Sequence, residues 1–396
     1  MSVSIDVAWK SLNKQNEELC GDKVEIIKTQ DSDIMILADG MGSGVKANIL
    51  ATLTSKILGT MLYEGADIES CVETIAKTLP ICKVRKVAYA TFSILQIFHS
   101  GEAYLAEFDN PSCVFIRDGK IVKYPYETRE IGGKKIHEYR FQVKKNDCFV
   151  LMSDGVIYAG AGSILNLQGW TWEAMAEYTL KCTKKTMSAS RLAVMLSQAC
   201  DELYEEKPGD DTTVAVARVI DRRVVNIFTG PPRSKDDDER LMHEFMHTEG
   251  KKVVAGGTSA NIAARILGRE IITKAYSRNP DVPPMATLEG IDLVTEGVLT
   301  LGKCLKILKK YVNDEFDAEF FDELDADNGA SRLAKLLIED CTELNLFVGT
   351  AVNAAHAESE LNFDLSMRQN LVEQLIATAE KMGRTEIGRA SCRERV

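Results

Sequence analysis

Four places in the first 220 residues set an aspartate at the mouth of an apolar run. DIMILA runs into Asp39-Gly40, and CFVLMS runs into Asp154-Gly155. Asp210-Asp211 stands just before Thr212-Thr213-Val214, and Asp22 follows Cys20-Gly21 ahead of Val24 to Ile27. An aspartate at a strand end is held rigidly, and a glycine beside it lets backbone approach a ligand closely. Carboxylates gathered in this way repel, so some must take up protons or a cation must neutralise them. Hard oxygen donors with few histidines favour Mg²⁺ or Mn²⁺ over zinc. Two such ions roughly 3.5–4 Å apart can activate water and stabilise charge on a phosphoryl group. Asp-Gly is also a common turn dipeptide, so any one of these sites alone says little. Four in one stretch say more.

The elements that would carry these residues are legible as apolar runs rich in β-branched and aromatic side chains. Strands are predicted at Asp33 to Ala38, Ala88 to Phe98, Ser112 to Arg117, Cys148 to Met152 and Thr212 to Val219. Helices are predicted at Val45 to Tyr63, Trp170 to Cys182 and Ser188 to Tyr204, the first with an apolar stripe that reads as core. After Val219 the composition shifts. A strand at Val224 to Thr229 ends in Gly230-Pro231-Pro232. Strand-like runs at Lys252 to Ala255, Ile291 to Val294 and Leu344 to Val348 then alternate with helical ones. Alternation of that kind predicts a layered α/β domain with a mostly parallel sheet. The expected organisation is 1–220, 221–385 and a tail, 386–396. The tail (EIGRASCRERV) resembles translated adaptor or vector sequence, or a frayed basic end, and carries no functional argument.

Asp39-Gly40-Met41-Gly42-Ser43-Gly44 with Ala47, then Ser153-Asp154-Gly155-Val156, then Gly209-Asp210-Asp211-Thr212-Thr213-Val214 occur in an order that resembles the metal-dependent PP2C-type protein phosphatases, and more narrowly their bacterial SpoIIE-like branch. The likeness runs from about Ser4 to Val219. Cys20-Gly21-Asp22 fits the first metal motif, and Phe108 to Pro111 with Arg117-Asp118-Gly119 resembles the loop and hairpin between the central motifs. It implies an α-β-β-α sandwich, followed here by the layered, Rossmann-like α/β domain. It also implies two Mn²⁺ or Mg²⁺ ions held by Asp22, Asp39, the Gly40 carbonyl, Asp154 and Asp210, with Asp39 bridging and Asp39 and Asp154 catalytic. Asp210 matches the ligand position, with Asp211 the one-residue alternative. The implied reaction is hydrolysis of phosphoserine or phosphothreonine by water activated between the two ions. The implied partner is a phosphorylated protein, such as a STAS-type anti-anti-sigma factor. Some relatives place a histidine near the site as general acid. Here Ser43 stands in the turn and none of the five histidines falls in a metal motif, which leaves the leaving-group proton to water.

Composition narrows the remaining classes. The chain has 396 residues, formal charge −11, 45% hydrophobic and 27% charged residues. That is an ordinary globular balance, and the acidity argues against a nucleic-acid binder. No apolar run reaches the roughly 18–20 residues of a spanning helix. Residues 1–10 lack a basic stretch followed by an apolar core, so no secretory signal is expected. Ten cysteines without a C-x-x-C pair read as reduced core thiols, and with the rest predict a cytoplasmic location.

Two further motifs compete for attention. His243-Glu244-Phe245-Met246-His247 is a literal H-E-x-x-H. Gly250 stops the helix soon after it and no third ligand is evident, so incidental histidines are the better reading. Gly256-Gly257-Thr258-Ser259-Ala260-Asn261 lies between a strand and a helix, where bare N–H groups suit a small anionic ligand or ordinary capping. The leading expectation is a protein serine/threonine phosphatase with a regulatory or ligand-binding second domain. The alternative is a non-catalytic pseudophosphatase that senses a ligand through that domain.

Overall fold

The computed structural model describes residues 3–78, 90–131, 134–162, 169–232, 234–273, 283–349 and 358–391. It divides into two compact units, Met1–Asp221 and Arg222–Val396.

In the first unit the order is β1 (Val3–Leu12), β2 (Asp22–Lys28), β3 (Ser32–Gly40), α1 (Gly44–Tyr63), α2 (Ile68–Thr78), β4 (Ala90–Phe98) and β5 (Glu102–Phe108). Then come β6 (Val114–Arg117), β7 (Lys120–Val122), β8 (Glu127–Ile131), β9 (Lys134–Gln142), β10 (Cys148–Met152), α3 (Asp154–Ile157), α4 (Trp172–Thr183), α5 (Ala189–Leu203) and β11 (Thr212–Asp221). The strands form two antiparallel sheets, ordered β1-β11-β10-β6-β7 and β2-β3-β4-β5-β9-β8. Residues 88–89 of the predicted fourth strand lie outside the described residues.

Strand parity explains why DIMILA is apolar throughout. Alternate side chains leave a strand on opposite faces. Met35 and Leu37 enter a core with Leu95, Leu105, Phe149, Leu151, Ala215 and Ala217 of both sheets. Ile34, Ile36 and Ala38 pack outward against Leu50, Ala51 and Leu58 of α1 and Val72 and Ile75 of α2. On the other side, Val150, Met152, Val214 and Val216 meet Met175 of α4 and Leu192 and Leu196 of α5. The result is helix, sheet, sheet, helix.

The stripe read for α1 needs correction. Its packed face is built of small residues, Ala47, Ala51, Thr54, Ser55 and Gly59, with Leu50 and Leu58. Val45, Ile49 and Leu53 instead stand 61%, 52% and 46% exposed. Small residues let the helix approach the sheet closely: a β-carbon on Gly59 would come within 2.5 Å of Ile27 Cδ1.

The second unit runs β12 (Val224–Thr229), α6 (Lys235–His247), β13 (Lys251–Ala255), α7 (Gly257–Leu267), β14 (Ile272–Thr273), β15 (Ala286–Leu288), β16 (Ile291–Thr295), α8 (Val298–Val312), α9 (Ala318–Leu324), α10 (Gly329–Glu339), β17 (Glu343–Val348), α11 (Glu358–Lys381) and β18 (Thr385–Ser391). Its sheet is ordered β14-β15-β16-β13-β12-β17-β18. Neighbours from β16 to β18 are parallel, and β14 and β15 add an antiparallel edge. Strands buried on both faces read as continuous apolar runs, as VVNIFT does. The tail was expected to lack regular structure. Its residues up to Ser391 instead lie in β18, whose backbone groups pair with the open edge of β17.

Candidate active site

The acidic residues meet at one end of the first unit, where the core between the sheets runs out. Parity again does the placing. On β3 the inward sequence Met35, Leu37 continues to Asp39. On β2 Asp22 precedes the inward Val24, and on β11 the inward Ala215 is preceded by Thr213 and then Asp211. Asp22 and Asp39 are direct cross-strand partners in the β2–β3 register. Gly40 N donates to Gly21 O at 3.1 Å, fixing that register at its last rung. The opposite sheet is pinned by reciprocal bonds: Thr213 N donates to Ser153 Oγ at 2.8 Å and Ser153 N donates to Thr213 O at 3.1 Å. Asp154, one residue on, opens α3 at the rim.

Burial of these carboxylates is costly. Both oxygens of Asp22 and Oδ2 of Asp211 are buried without a hydrogen-bond partner among the described residues. Burial, then the charges of Asp22, Asp154, Asp210 and Asp211, pushes Asp39 up to about 9. Burial likewise pushes Asp22 up to about 7, eased by the nearby Ser153 and Thr213 hydroxyls, which stand close but outside hydrogen-bonding geometry, and raised again by Asp211 and Asp154. Asp154 is raised by burial and then by Asp210, and Asp211 chiefly by burial.

The two candidates at positions 210 and 211 differ. Asp211 is 5% exposed and accepts from Lys14 N at 3.0 Å, while its other oxygen turns toward Gly21. Asp210 stands at the rim, 3.5 Å from Lys14 Nζ. One therefore anchors the turn after β1 and the other faces outward beside Asp154.

Glycines set the close approaches. A β-carbon on Gly155 would fall 2.2 Å from Asp211 O, and one on Gly40 would fall 2.0 Å from Ala47 O in the first turn of α1. Both clashes are with backbone, which cannot swing aside. Gly40→Ala is therefore expected to cost about 1–3 kcal/mol by overpacking and to weaken Mn²⁺ binding, because Asp39 moves with the strand end. Denaturant melts and a Mn²⁺ titration check this; wild-type values for both would show that α1 yields freely.

Several participants carried no local sequence signal. Lys14 and Glu17, which accepts from Ser43 Oγ at 2.9 Å, come from the loop between β1 and β2. Tyr204 donates to Gly155 O at 2.7 Å. Asn110 accepts from Thr91 Oγ1 at 2.5 Å, and Thr91 is the cross-strand neighbour of Asp39. Asn110 was visible only through the resembling Phe108 to Pro111 loop. The hairpin at Asp118-Gly119 has both residues at positive φ, 50° and 69°, as a tight two-residue turn requires.

The donor set is oxygen only and rich in negative charge, and its innermost carboxylate, Asp22, is buried with both oxygens lacking partners among the described residues, which fits hard divalent cations in chemistry. It does not form a closed cage: among the described residues no three acidic, histidine or cysteine side chains are gathered tightly enough to enclose one ion. The other motifs do not join this site. His243 and His247 stack at 3.8 Å between ring centroids in α6 of the second unit, and His247 Nδ1 lies 2.8 Å from His243 O. In the first unit His99 lies beside Asp33 at the far end of β3, and His137 stacks on Tyr126. The described cysteines are free and mostly buried. Among the described residues no helix is long and apolar enough to cross a membrane.

Over just under half of its length the chain is similar to the SpoIIE-like branch of the PP2C-type protein phosphatases. The family model described as Stage II sporulation protein E (SpoIIE) matches residues 30–220. Stage II sporulation protein E of Bacillus subtilis (strain 168) is 27% identical over 191 residues, 46% of this chain. The chain spans only 22% of that relative's length. Among solved structures, the PP2C phosphatase domain of Bacillus subtilis SpoIIE with a fragment of its regulatory domain is 19% identical, with a TM-score of 0.46, over 55% of this chain and 64% of that one. The RsbU and RsbW domains of Rv1364c from Mycobacterium tuberculosis are 16% identical, with a TM-score of 0.46, over 62% and 69%.

Proposed function

We propose that the protein is a Mn²⁺- or Mg²⁺-dependent protein serine/threonine phosphatase of bacterial signalling. The observation that carries this reading is the convergence of Asp22, Asp39, Asp154, Asp210 and Asp211 at the open end of the inter-sheet core, with buried oxygens left unpartnered. Asp22, Asp39, the Gly40 carbonyl, Asp154 and Asp210 would hold the ions. Bound there, two ions supply the charge that activates water and steadies the phosphoryl oxygens.

The chain's own residues do the rest. The β2–β3 register and the Ser153–Thr213 bonds hold the carboxylates on two facing sheets, and Asp211 ties the Lys14 backbone to the same end. The Lys14 ammonium is positioned to meet phosphoryl oxygens entering beside Asp210. With no histidine of the described residues at the site, the proton for the departing serine or threonine oxygen comes from water.

Resemblance to the SpoIIE-like branch supports a phosphorylated protein substrate, of the STAS-type anti-anti-sigma class. The parallel strands of the second unit support reading it as a Rossmann-like regulatory or ligand-binding domain over 221–385. A non-catalytic role would be favoured by loss of a member of the acidic set; all four expected positions are acidic.

The test is hydrolysis of phosphoserine and phosphothreonine peptides by metal-stripped protein titrated with Mn²⁺. Turnover that rises and saturates with Mn²⁺ supports the reading. Protein that neither turns over nor binds Mn²⁺ by calorimetry would make the pseudophosphatase reading the right one.

A further inference from the structure

The second unit has an unassigned feature at the C-terminal ends of its parallel strands. Numbered along the chain, the parallel strands are β12, β13, β16, β17 and β18, but in the sheet they run β16-β13-β12-β17-β18. The order reverses between β12 and β17, and open parallel sheets bind ligands outside the strand ends near such a reversal. The reversal itself is closed here. A β-carbon on Gly349, after β17, would lie 2.3 Å from Gly230 O, after β12, so the two turns already touch. One strand over, β13 and β16 each run directly into a helix.

There the chain turns into α7 and α8 through Gly256 and Gly297. A β-carbon on Gly297 would come within 3.3 Å of Gly256 Cα, so the two helix N-termini start side by side. Gly256 sits at φ 123° and ψ 134°, a conformation that excludes other residues. Among the described residues nothing lies within 4 Å of a β-carbon built on Gly257, so none of them packs on the start of α7 at that point. The first backbone bond of α7 is from Ala260 N to Gly256 O, and among the described residues no side chain caps the helix. Its first three amides, on Gly257, Thr258 and Ser259, therefore precede the helical ladder.

A second observation is independent of the helix end. Ser259 is 1% exposed, its hydroxyl has no hydrogen-bond partner among the described residues, and Oγ lies 3.4 Å from where a β-carbon of Gly256 would sit. Thr300, in the first turn of α8, is likewise 1% exposed with an unpartnered hydroxyl. A buried hydroxyl left bare calls for an explanation such as an absent partner. At α8 a carboxylate already serves: Glu296 Oε2 accepts from Thr300 N at 3.4 Å. At α7 no side chain among the described residues does so.

We infer that the N-terminus of α7 binds the phosphoryl group of a small molecule, received by the Gly257, Thr258 and Ser259 amides and the Ser259 hydroxyl. Three amides in one turn suit the three terminal oxygens of a phosphoryl group better than the two of a carboxylate. The inference is independent of the phosphatase reading.

The experiment uses the full chain, stripped of metal and at fixed ionic strength. It is titrated by calorimetry with inorganic phosphate, a hexose monophosphate and AMP. Saturable binding of at least one probe is expected, with affinity at least ~10-fold lower in Gly257→Asp, since the new carboxylate would occupy the same helix end. An acidic residue in a first helical turn is favourable, so this variant should melt no lower than wild type. Ser259→Ala should weaken binding by roughly 3- to 10-fold and keeps the test open if Gly257→Asp alters the fold. Binding of phosphate as tightly as of the esters would assign free phosphate as the ligand; preference for an ester would assign a phosphorylated metabolite. No saturable binding of any probe, or binding unchanged by both substitutions, would overturn the inference.

Discussion

Asp39→Asn is expected to lower Mn²⁺-dependent hydrolysis of a phosphoserine peptide by on the order of 10³-fold, roughly 4 kcal/mol of transition-state stabilisation, while leaving the fold intact. Asparagine has nearly the same shape, so the β2–β3 rung and the inter-sheet core have no reason to move. What it removes is a negative charge at the point where Asp22, Asp154, Asp210 and Asp211 all press on this carboxylate. In metal-free protein the amide is neutral without having to hold a proton there, so the variant should be as stable as the parent or more so. Asp33→Asn supplies the control. It changes another buried carboxylate of the same strand, about 20 Å away at the strand's far end beside His99. Activity within about threefold of wild type is expected there, because only short-range groups share the chemistry. Full activity in Asp39→Asn would sink the metal mechanism; equal losses in both variants would point to a general structural effect.

Much of this site was legible because strand mouths leave a local mark. An apolar run that ends in Asp-Gly announces both a strand and the polar group it presents, and all four acidic sites followed that rule or its mirror image. The choice between Asp210 and Asp211 was not legible. Adjacent residues face opposite ways, and only the loop after β1, some 200 positions earlier in the chain, shows that Asp211 turns in to Lys14 N while Asp210 stays at the rim. Lys14 and Tyr204 were invisible for the same reason, since each acts on residues distant in sequence.

Errors of element had physical causes too. β8 and β9 read ETREI and KKIHEYRFQ, with charges on a half-exposed face, so no apolar run marks them. In α1 the largest apolar side chains mark out a stripe in the sequence that differs from the packed face. Close packing on the sheet selected the small ones instead, and left Ile49 and Leu53 outside. In the second unit the four parallel strands β12, β13, β16 and β17 were plain because they are largely buried, whereas β14, β15 and β18 left no such mark, and the strand order, and hence the closed reversal at Gly230 and Gly349, depends on pairings no local pattern encodes.

Stripped of metal, the N-terminal unit is expected to lose stability steadily as pH rises from about 4 to about 9. The unfolded chain's aspartates titrate near 3.8, whereas burial and mutual repulsion hold Asp22 up to about 7 and Asp39 up to about 9 in the fold. Between those limits the folded state carries protons that the unfolded state has already released. Unfolding then releases protons, and each rise in pH favours it. Full stability from these groups is therefore present below the unfolded value and lost as pH passes through the folded ones. A divalent cation competes for the same oxygens and binds only their ionised form, so its stabilising effect must run the other way, small near pH 5 and large near pH 8.5. Melts in EDTA and in Mn²⁺, followed by tryptophan fluorescence, check this in the right unit, since Trp9, Trp170 and Trp172 all lie within residues 1–221. The melting temperature in EDTA should fall by roughly 5 °C or more across that range, Mn²⁺ should reverse the fall, and Asp39→Asn should flatten both curves. A melting temperature in EDTA that held level or rose with pH would mean that the carboxylates are not held protonated by one another, and that the pressure driving them to take up a cation is absent.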